Sequence, residues 1–396
     1  MQTPNVVLLT NFVPPYRLSL YQDLGRKLGL FRIVVSTDME ADRPWEARHD
    51  GLAVETQRTL TVRRRLRHPY GFRDEIYVHI PYDTLRRLSR IEPDTILSDE
   101  LGVRTAQALI YRHIHRRTRL IIWATVSEHS ENGRSLSRRL LRTVLLPRAD
   151  AVVVNGASGA RYIKGFGIAD KKIFVAPQTT EHRRFAAIPL ERSTLERRRL
   201  TYVGRLIQLK NLIPFLSMLA SWCKAHPKDA VEFRLAGDGP ELVNLRRVVA
   251  PPNLQIHFSG NIAFEDLPAF YAQAGIFVFP TLADTWGLVV NEAMAAGLPV
   301  LGSTHSQAVE ELVKDGENGW TFQPNHPGEV YAALDRALTT SFDRLMEMGA
   351  TSRKAVEHLT PEFAAQRIMD AIRFVRREMP NEGASAADIA SARITN

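Results

Sequence analysis

GIFVFPTLADTWGLVVNEAMAAGLPV (275–300) decides the fold. GIFVFP (275–280) is a continuous apolar run closed by proline, the pattern of a strand buried on both faces of a parallel sheet. TLADTWG follows as a loop. LVVNEAMAA (288–296) then takes up helical periodicity, ending at Gly297 with Pro299 shortly after. A helix N-terminus offers free N–H groups and partial positive charge, which suits a phosphate. Glu292 lies about one turn into this helix, where a carboxylate can accept from sugar hydroxyls. Asp284 stands ahead of the helix, on the rim.

The same strand–helix unit recurs along the chain. The first half reads as strands near 5–10, 31–36, 94–98, 119–125, 150–155 and 172–176, with helices near 18–28, 102–117, 134–146 and 157–166. In the second half, strands fall near 199–204, 231–236, 254–259, 275–280 and 298–302, and helices near 211–225, 240–250, 264–274, 287–296 and 306–314. This alternation predicts an α/β protein with parallel sheets covered by helices on both faces. Two sets predict two doubly wound, Rossmann-like domains facing across a cleft, at 1–185 and 190–360, joined through the charged segment 181–199. The arginine-rich, weakly periodic stretch 40–75 reads as a loop excursion, and the tail 380–396 as mobile.

At 396 residues with 44% apolar and 8% aromatic content, the chain can build two large cores. Its one cysteine, Cys223, excludes an intramolecular disulfide or a cysteine metal cluster and fits a reducing cytosol. NVVLLT (5–10) is too short for a signal core, and no apolar run approaches the ~20 residues of a membrane span. The expected location is cytoplasmic, with peripheral attachment to the inner membrane face as an option. The charge of +9 is uneven: residues 1–190 hold 31 Lys and Arg against 19 Asp and Glu, and residues 191–396 hold 21 against 24. RRRLR (63–67), RHIHRRTR (112–119) and RRLLR (138–142) carry the excess. A solvated arginine-rich surface and an anionic membrane face both suit these runs. Nucleic acid does not, because no interleaved aromatics or known motif accompany them. SRRLLRTVLL (137–146) fits an interfacial helix and equally an amphipathic helix packed on a sheet.

Ligands of open parallel sheets bind beyond the carboxyl ends of strands. Four segments of the second half put polar groups there. TYVGRLIQLKN (201–211) supplies Arg205 and Lys210, two cations able to neutralise a diphosphate. FRLAGDGPE (233–241) ends in a Gly237-Asp238 turn that admits close backbone approach. IHFSGN (256–261) ends in Gly260 and Asn261, and the 275–287 segment completes the rim. Each alone is ordinary turn chemistry or surface charge. Their recurrence at successive strand ends is not.

On these residues the second half resembles the C-terminal domain of the retaining glycosyltransferases of family 4, which have the GT-B architecture. The matching pieces are VGRL…KN (203–211), GDGPE (237–241), FSG (258–260) and the acidic pair 284 and 292 with EAMAAGLPV. The resemblance implies that Arg205 and Lys210 bind the donor diphosphate with backbone amides near Gly287 and Leu288. It implies that Glu292 holds the ribose, and that Asp284 and the following loop reach the transferred sugar. Gly237, Asp238, Gly260, Asn261, Thr285 and Trp286 would then surround the sugar or base. Trp286 either stacks on the sugar or packs in the core. Relatives usually carry Glu where this chain has Asp284, one methylene shorter.

The first half is similar to the acceptor domain of that family more loosely. Prolines and Arg17 in TNFVPPYRLSLYQDL (10–24) replace the glycine-rich loop of many relatives, so Arg17 either meets an anionic acceptor or caps a helix start in solvent. WATVSEHSENG (123–133) holds His129, with Glu128 beside it, where relatives often place a histidine beside the reacting sugar carbon; a bystander role is as compatible. The resemblance also implies a last helix, 361–379, crossing back onto the first domain. It implies retention of configuration with donor phosphate helping to remove the acceptor proton. No cofactor is expected beyond a UDP- or GDP-sugar co-substrate, and no cluster has metal-ligand spacing. The expected activity is sugar transfer to a lipid-linked or polysaccharide acceptor. The alternatives are a small soluble acceptor, or a protein that binds nucleotide sugars without catalysis.

Overall fold

A computed structural model describes residues 4–40, 47, 49–191 and 199–377. The tail 380–396 and part of the inter-domain segment lie outside the described residues. In the first half the strands are β1 (Asn5–Thr10), β2 (Leu30–Val35), β3 (Ala53–Thr56), β4 (Thr59–Arg67), β5 (Arg73–Pro81), β6 (Thr95–Asp99), β7 (Arg119–Ala124), β8 (Ala151–Val154) and β9 (Ile173–Val175). The helices between them are α1 (Leu18–Leu28), α2 (Thr84–Ile91), α3 (Val103–Ile114), α4 (Glu128–Glu131), α5 (Leu136–Leu145), α6 (Ala157–Lys164) and α7 (His182–Ala186). Seven strands form one parallel sheet in the order β3-β2-β1-β6-β7-β8-β9.

The second half contributes β10 (Arg199–Val203), α8 (Leu212–Ala225), β11 (Val231–Ala236), α9 (Leu242–Leu245), β12 (Leu254–Gly260), α10 (Leu267–Ala272) and β13 (Ile276–Phe279). It continues with α11 (Leu288–Ala295), β14 (Val300–Ser303), α12 (Gln307–Leu312), β15 (Gly319–Phe322), α13 (Pro327–Thr339) and α14 (Phe342–Val356). Its sheet is also parallel, ordered β12-β11-β10-β13-β14-β15. Each sheet reverses strand order once, between β1 and β6 and between β10 and β13. Crevices at such reversals are where doubly wound sheets take ligands.

The central strands are buried throughout, because helices cover both faces and no residue can alternate to solvent: Val6 through Leu9, Ile276 through Phe279 and Val300 through Ser303 are all inside. The first sheet accordingly has a separate apolar core on each face.

The last helix, α15 (Pro361–Arg377), belongs to the first of these cores. Ala365, Ile368 and Ile372 join Leu8, Tyr21, Leu24 and Ile121 there. Arg367 Nε donates to the Val175 carbonyl at 3.1 Å. The helix follows the second sheet in sequence and packs on the first.

The stretch 40–75 is not a plain loop. β3 joins the edge of the first sheet, and β4 and β5 pair in an antiparallel ribbon from Thr59↔Pro81 to Arg67↔Arg73. Most described residues of β4 are exposed, so no buried apolar stripe there reveals the strand in the sequence. Its tip stacks His68 on Phe72 at 4.6 Å and on Tyr70 at 5.1 Å. Tyr70 then reaches the second domain, its hydroxyl 3.4 Å from the Leu282 carbonyl.

Ile368 is fully buried between α1 and the first sheet. Ile368→Ala should lower stability by about 2 to 4 kcal/mol, read from urea denaturation; a change within error would show that the helix does not dock there.

Candidate functional site

The site is built at the carboxyl ends of β10, β11 and β13. β10 ends at Val203, and the chain turns through Gly204 and the exposed Arg205 to a short 3₁₀ turn ending at Lys210. The Lys210 ammonium lies 2.6 Å from Asp284 Oδ2 and 4.9 Å above the Phe279 ring. Both side chains are mostly buried, which strengthens the attraction relative to an exposed pair. The other Asp284 oxygen accepts from the Trp286 N–H at 3.1 Å. Asp284 thus organises its own loop and neutralises Lys210 at once.

α11 begins at Gly287 with no side-chain cap. Gly287 has φ +101°, and a Cβ there would sit 2.8 Å from both Phe279 and the Ser306 hydroxyl. Only glycine can turn the chain at this point. The first-turn N–H groups near Leu288 are left to water or to an anion, beside the Lys210–Asp284 pair.

Glu292 lies farther into α11 and is buried, accepting from the Tyr271 hydroxyl at 3.1 Å. Burial pushes its carboxyl up to about 7, against the opposing pull of the Tyr271 hydrogen bond. A carboxyl poised there is half protonated near neutrality.

The first domain grips the acidic loop from the other side. The Ser127 hydroxyl donates to the Asp284 carbonyl at 3.3 Å, and Asn155 Nδ2 to the Thr285 carbonyl at 3.3 Å. Gln307 at the start of α12 donates to the Thr285 carbonyl at 2.6 Å and to the Val126 carbonyl at 3.1 Å, and accepts from the Gly159 N–H at 2.9 Å. His129 stacks on His305 of the second domain, ring centroids 3.9 Å apart. Burial lowers the pKa of each imidazole below the ordinary histidine value, and for His305 the neighbouring His129 lowers it further. Two neutral rings can share a face where two imidazolium ions would repel.

The structure brings Lys210, Asp284, Thr285, Gly287, Leu288 and His129 to one seam between the domains. Other residues named from the sequence lie elsewhere. Trp286 is only 1% exposed, its indole N–H bound to Asn291 Oδ1 at 2.9 Å, so it packs in the core and cannot stack on a sugar. Arg17 is neither solvent-facing nor open: it is buried, with Nη1 2.9 Å from Asp99 and the guanidinium 4.6 Å from the Trp123 ring. Burial opposes its charge, and Tyr21 and Asp99 nevertheless hold it above the ordinary arginine range. Glu128 is exposed and its carboxylate is taken by Arg161 at 2.7 Å. The Gly237-Asp238 turn serves another loop: a Cβ on Gly237 would meet the Gly204 carbonyl at 1.9 Å, and the Asp238 carbonyl accepts from Leu206 at 2.8 Å. Those glycines let two strand-end loops touch each other. Gly260 and Asn261 remain at the mouth of β12, Asn261 exposed. Among the described residues no group of three or more His, Cys, Asp or Glu side chains gathers as a metal site.

Sequence reasoning missed Gln307, Asn155, Ser127 and His305. None stands in a motif, and each matters only because the other domain is across from it.

A family model described as Glycosyl transferases group 1 matches residues 197–340. The chain is 24% identical over 370 residues to a GDP-mannose-dependent alpha-(1-6)-phosphatidylinositol monomannoside mannosyltransferase of Mycobacterium tuberculosis, covering 89% of this chain and 93% of that protein. It is 29% identical over 143 residues to the sulfoquinovosyl transferase of Arabidopsis thaliana, where the match covers 36% of this chain and only 26% of the relative. Among solved structures, the lipopolysaccharide outer core galactosyltransferase WaaB superposes with TM-score 0.69 at 12% identity, covering 93% of this chain and 99% of that one. HepE of Anabaena with UDP-glucose superposes with TM-score 0.69 at 17% identity and the same coverage. The fold is therefore GT-B, and these matches support a place in the GT-B glycosyltransferase superfamily.

The raised Glu292 value gives a signed pH dependence. Between 4.5 and about 7 the folded protein holds a proton that the unfolded chain has released. Stability is fully present below the lower value and is lost as pH rises through the upper one. Glu292→Gln removes this term, so the stability difference between variant and parent should move in the variant's favour by on the order of 3 kcal/mol from about pH 5 to about pH 8. Urea denaturation at the two pH values checks it; a constant difference would place the carboxyl in water.

Proposed function

We propose that this protein is a retaining glycosyltransferase that moves a sugar from a UDP- or GDP-sugar to a lipid-linked or polysaccharide acceptor. One observation carries the proposal: Lys210, 2.6 Å from Asp284, stands beside the uncapped start of α11 on a loop held by both domains. A diphosphate arriving there exchanges with the Asp284 carboxylate for the ammonium. The exchange frees Asp284 for a hydroxyl of the transferred sugar and gives the departing phosphate a cation and a helix dipole. Arg205, exposed on the same loop, adds a second positive charge. Glu292 takes the ribose side once its contact with Tyr271 opens. His129, across the seam, lies on the sugar's other side. The donor phosphate accepts the acceptor proton as the glycosidic bond forms, with no metal required.

The donor class agrees with relatives: HepE is seen with UDP-glucose, and the mycobacterial protein is named for GDP-mannose. A lipid-linked acceptor agrees with that protein's phosphatidylinositol mannoside. It agrees also with α5, where Leu136 is 84% exposed and Leu140 67%, with Val144 on the same face and Arg138 and Arg139 alongside. An apolar stripe flanked by arginines suits an anionic bilayer surface. No helix among the described residues is long and apolar enough to cross a membrane, so this contact would be peripheral. On this basis the protein should sediment with phosphatidylglycerol vesicles and not with phosphatidylcholine vesicles. Binding to neither would point to a soluble acceptor.

A thermal-shift screen of nucleotides and nucleotide sugars identifies the donor, since a ligand bound only by the folded state raises the midpoint. With that donor, Lys210→Ala should lower turnover by about a hundredfold or more while circular dichroism stays unchanged. Near-parental turnover would remove Lys210 from the diphosphate site.

A further inference from the structure

A cavity of about 600 Å³ opens in the first domain between α4, α5 and α6, with His129 on its rim. Four arginines line it, Arg134, Arg139, Arg142 and Arg161, against two carboxylates, Glu128 and Glu131. Both carboxylates are already committed, Glu131 to Arg142 and Glu128 to Arg161. Arg142 is only 4% exposed; it shares its guanidinium between Glu131 and the Tyr162 hydroxyl, and its Nε finds no acceptor. Among the described residues no carboxylate pairs with the exposed Arg139, whose charge lies close enough to the Tyr162 hydroxyl to oppose the rise in pKa that burial imposes there. Arg161 pairs with Glu310 as well, so the positive charge the cavity offers a ligand is that of Arg139, above a base fixed by the buried Arg142–Glu131 pair. Tyr162 and Phe166, edge to face at 5.3 Å, supply an apolar wall.

We propose that this cavity is an acceptor subsite for a phosphate ester. The inference rests on the glycosyltransfer reading and deepens it by naming the acceptor's chemistry. Arginine forks match phosphate oxygens in pairs, and a wall of rings accepts the carbon face of a polyol or sugar. His129 links the two sites: it lines the cavity and stacks on His305, which belongs to the donor-side domain. A phosphate held by Arg139 places the rest of the acceptor toward that stack. The apolar stripe of α5 lies on the same helix as Arg139 and Arg142, so the ester can arrive either free in solution or as a lipid head group at a bilayer.

The test uses the full chain with glycerol 1-phosphate, with glycerol as the uncharged control, by calorimetry. It is paired with sedimentation on phosphatidylglycerol vesicles, with phosphatidylcholine vesicles as control. Arg139→Glu should weaken binding by about tenfold or more and Arg139→Gln by less, as loss of a charge-assisted pair predicts. Lys171→Glu is the charge-matched control, an exposed cation of the first domain away from α5 and outside the cavity lining, and should keep most of the affinity. Binding of glycerol 1-phosphate that depends on Arg139 assigns a soluble ester; Arg139-dependent binding of vesicles alone assigns a lipid head group. Binding of neither probe, or equal losses in Lys171→Glu and Arg139→Glu, overturns the subsite. UDP and GDP binding to the unaltered protein, measured alongside, fails only if the donor assignment fails.

Discussion

The segment from Asp284 to Gly287 is held from both domains at once, and the rest of the site depends on that grip. From the second sheet, Lys210 fixes the Asp284 carboxylate. From the first, Ser127 and Asn155 bind consecutive backbone carbonyls of the same loop, and Gln307 of the second domain bonds the Thr285 carbonyl while also reaching Val126 and Gly159 of the first. Gly287 then redirects the chain into α11 at a point where a Cβ would strike Phe279. A backbone with no side-chain cap of its own is thereby kept in place and left able to bind an anion. Each of these hydrogen bonds is worth little alone. Their value lies in tying the position of a helix N-terminus to the relative placement of two domains.

Charge around the seam is managed by burial more than by pairing. His129 and His305 are both pushed toward the neutral form, as their stacked rings require. Glu292 is raised toward neutrality under Tyr271. The Lys210–Asp284 pair is the charged exception, and a dianionic ligand can compete for Lys210 because it brings more negative charge to the ammonium than a single carboxylate does. The Arg161 contact with Glu310 also crosses between the domains, but Arg161 is about half exposed and such a surface pair contributes little. Water exclusion at the loop and the ring stack therefore matter more to domain placement than the visible surface ion bridge.

Much of the fold was legible because buried parallel strands have a signature that solvent cannot blur. Val6–Leu9 and Ile276–Phe279 are apolar at every position, and helical periodicity follows most sheet strands closely. The β4–β5 ribbon escaped because arginines occupy positions that a half-buried strand would give to apolar residues, so neither period two nor a continuous run stands out. At the site, Lys210, Asp284 and Gly287 were legible from their places at strand and helix ends. Trp286 and the Gly237-Asp238 turn were legible as to position and misread as to use, since a loop residue can face its own core or a neighbouring loop as readily as a ligand. Arg17 had no visible partner until Asp99, 82 positions away, came beside it. Gln307 and Asn155 lie beyond sequence reasoning for the same reason, as polar residues whose role is set by a surface from the other half of the chain.

The most direct test of the central claim is a crystal structure of the protein soaked with the nucleoside diphosphate that most raises its melting point. The two phosphates should lie within hydrogen-bond reach of the Lys210 ammonium and the N–H groups at the start of α11, with the Asp284 carboxylate released from Lys210. Density for the nucleotide elsewhere, with the Lys210–Asp284 pair intact, would contradict it.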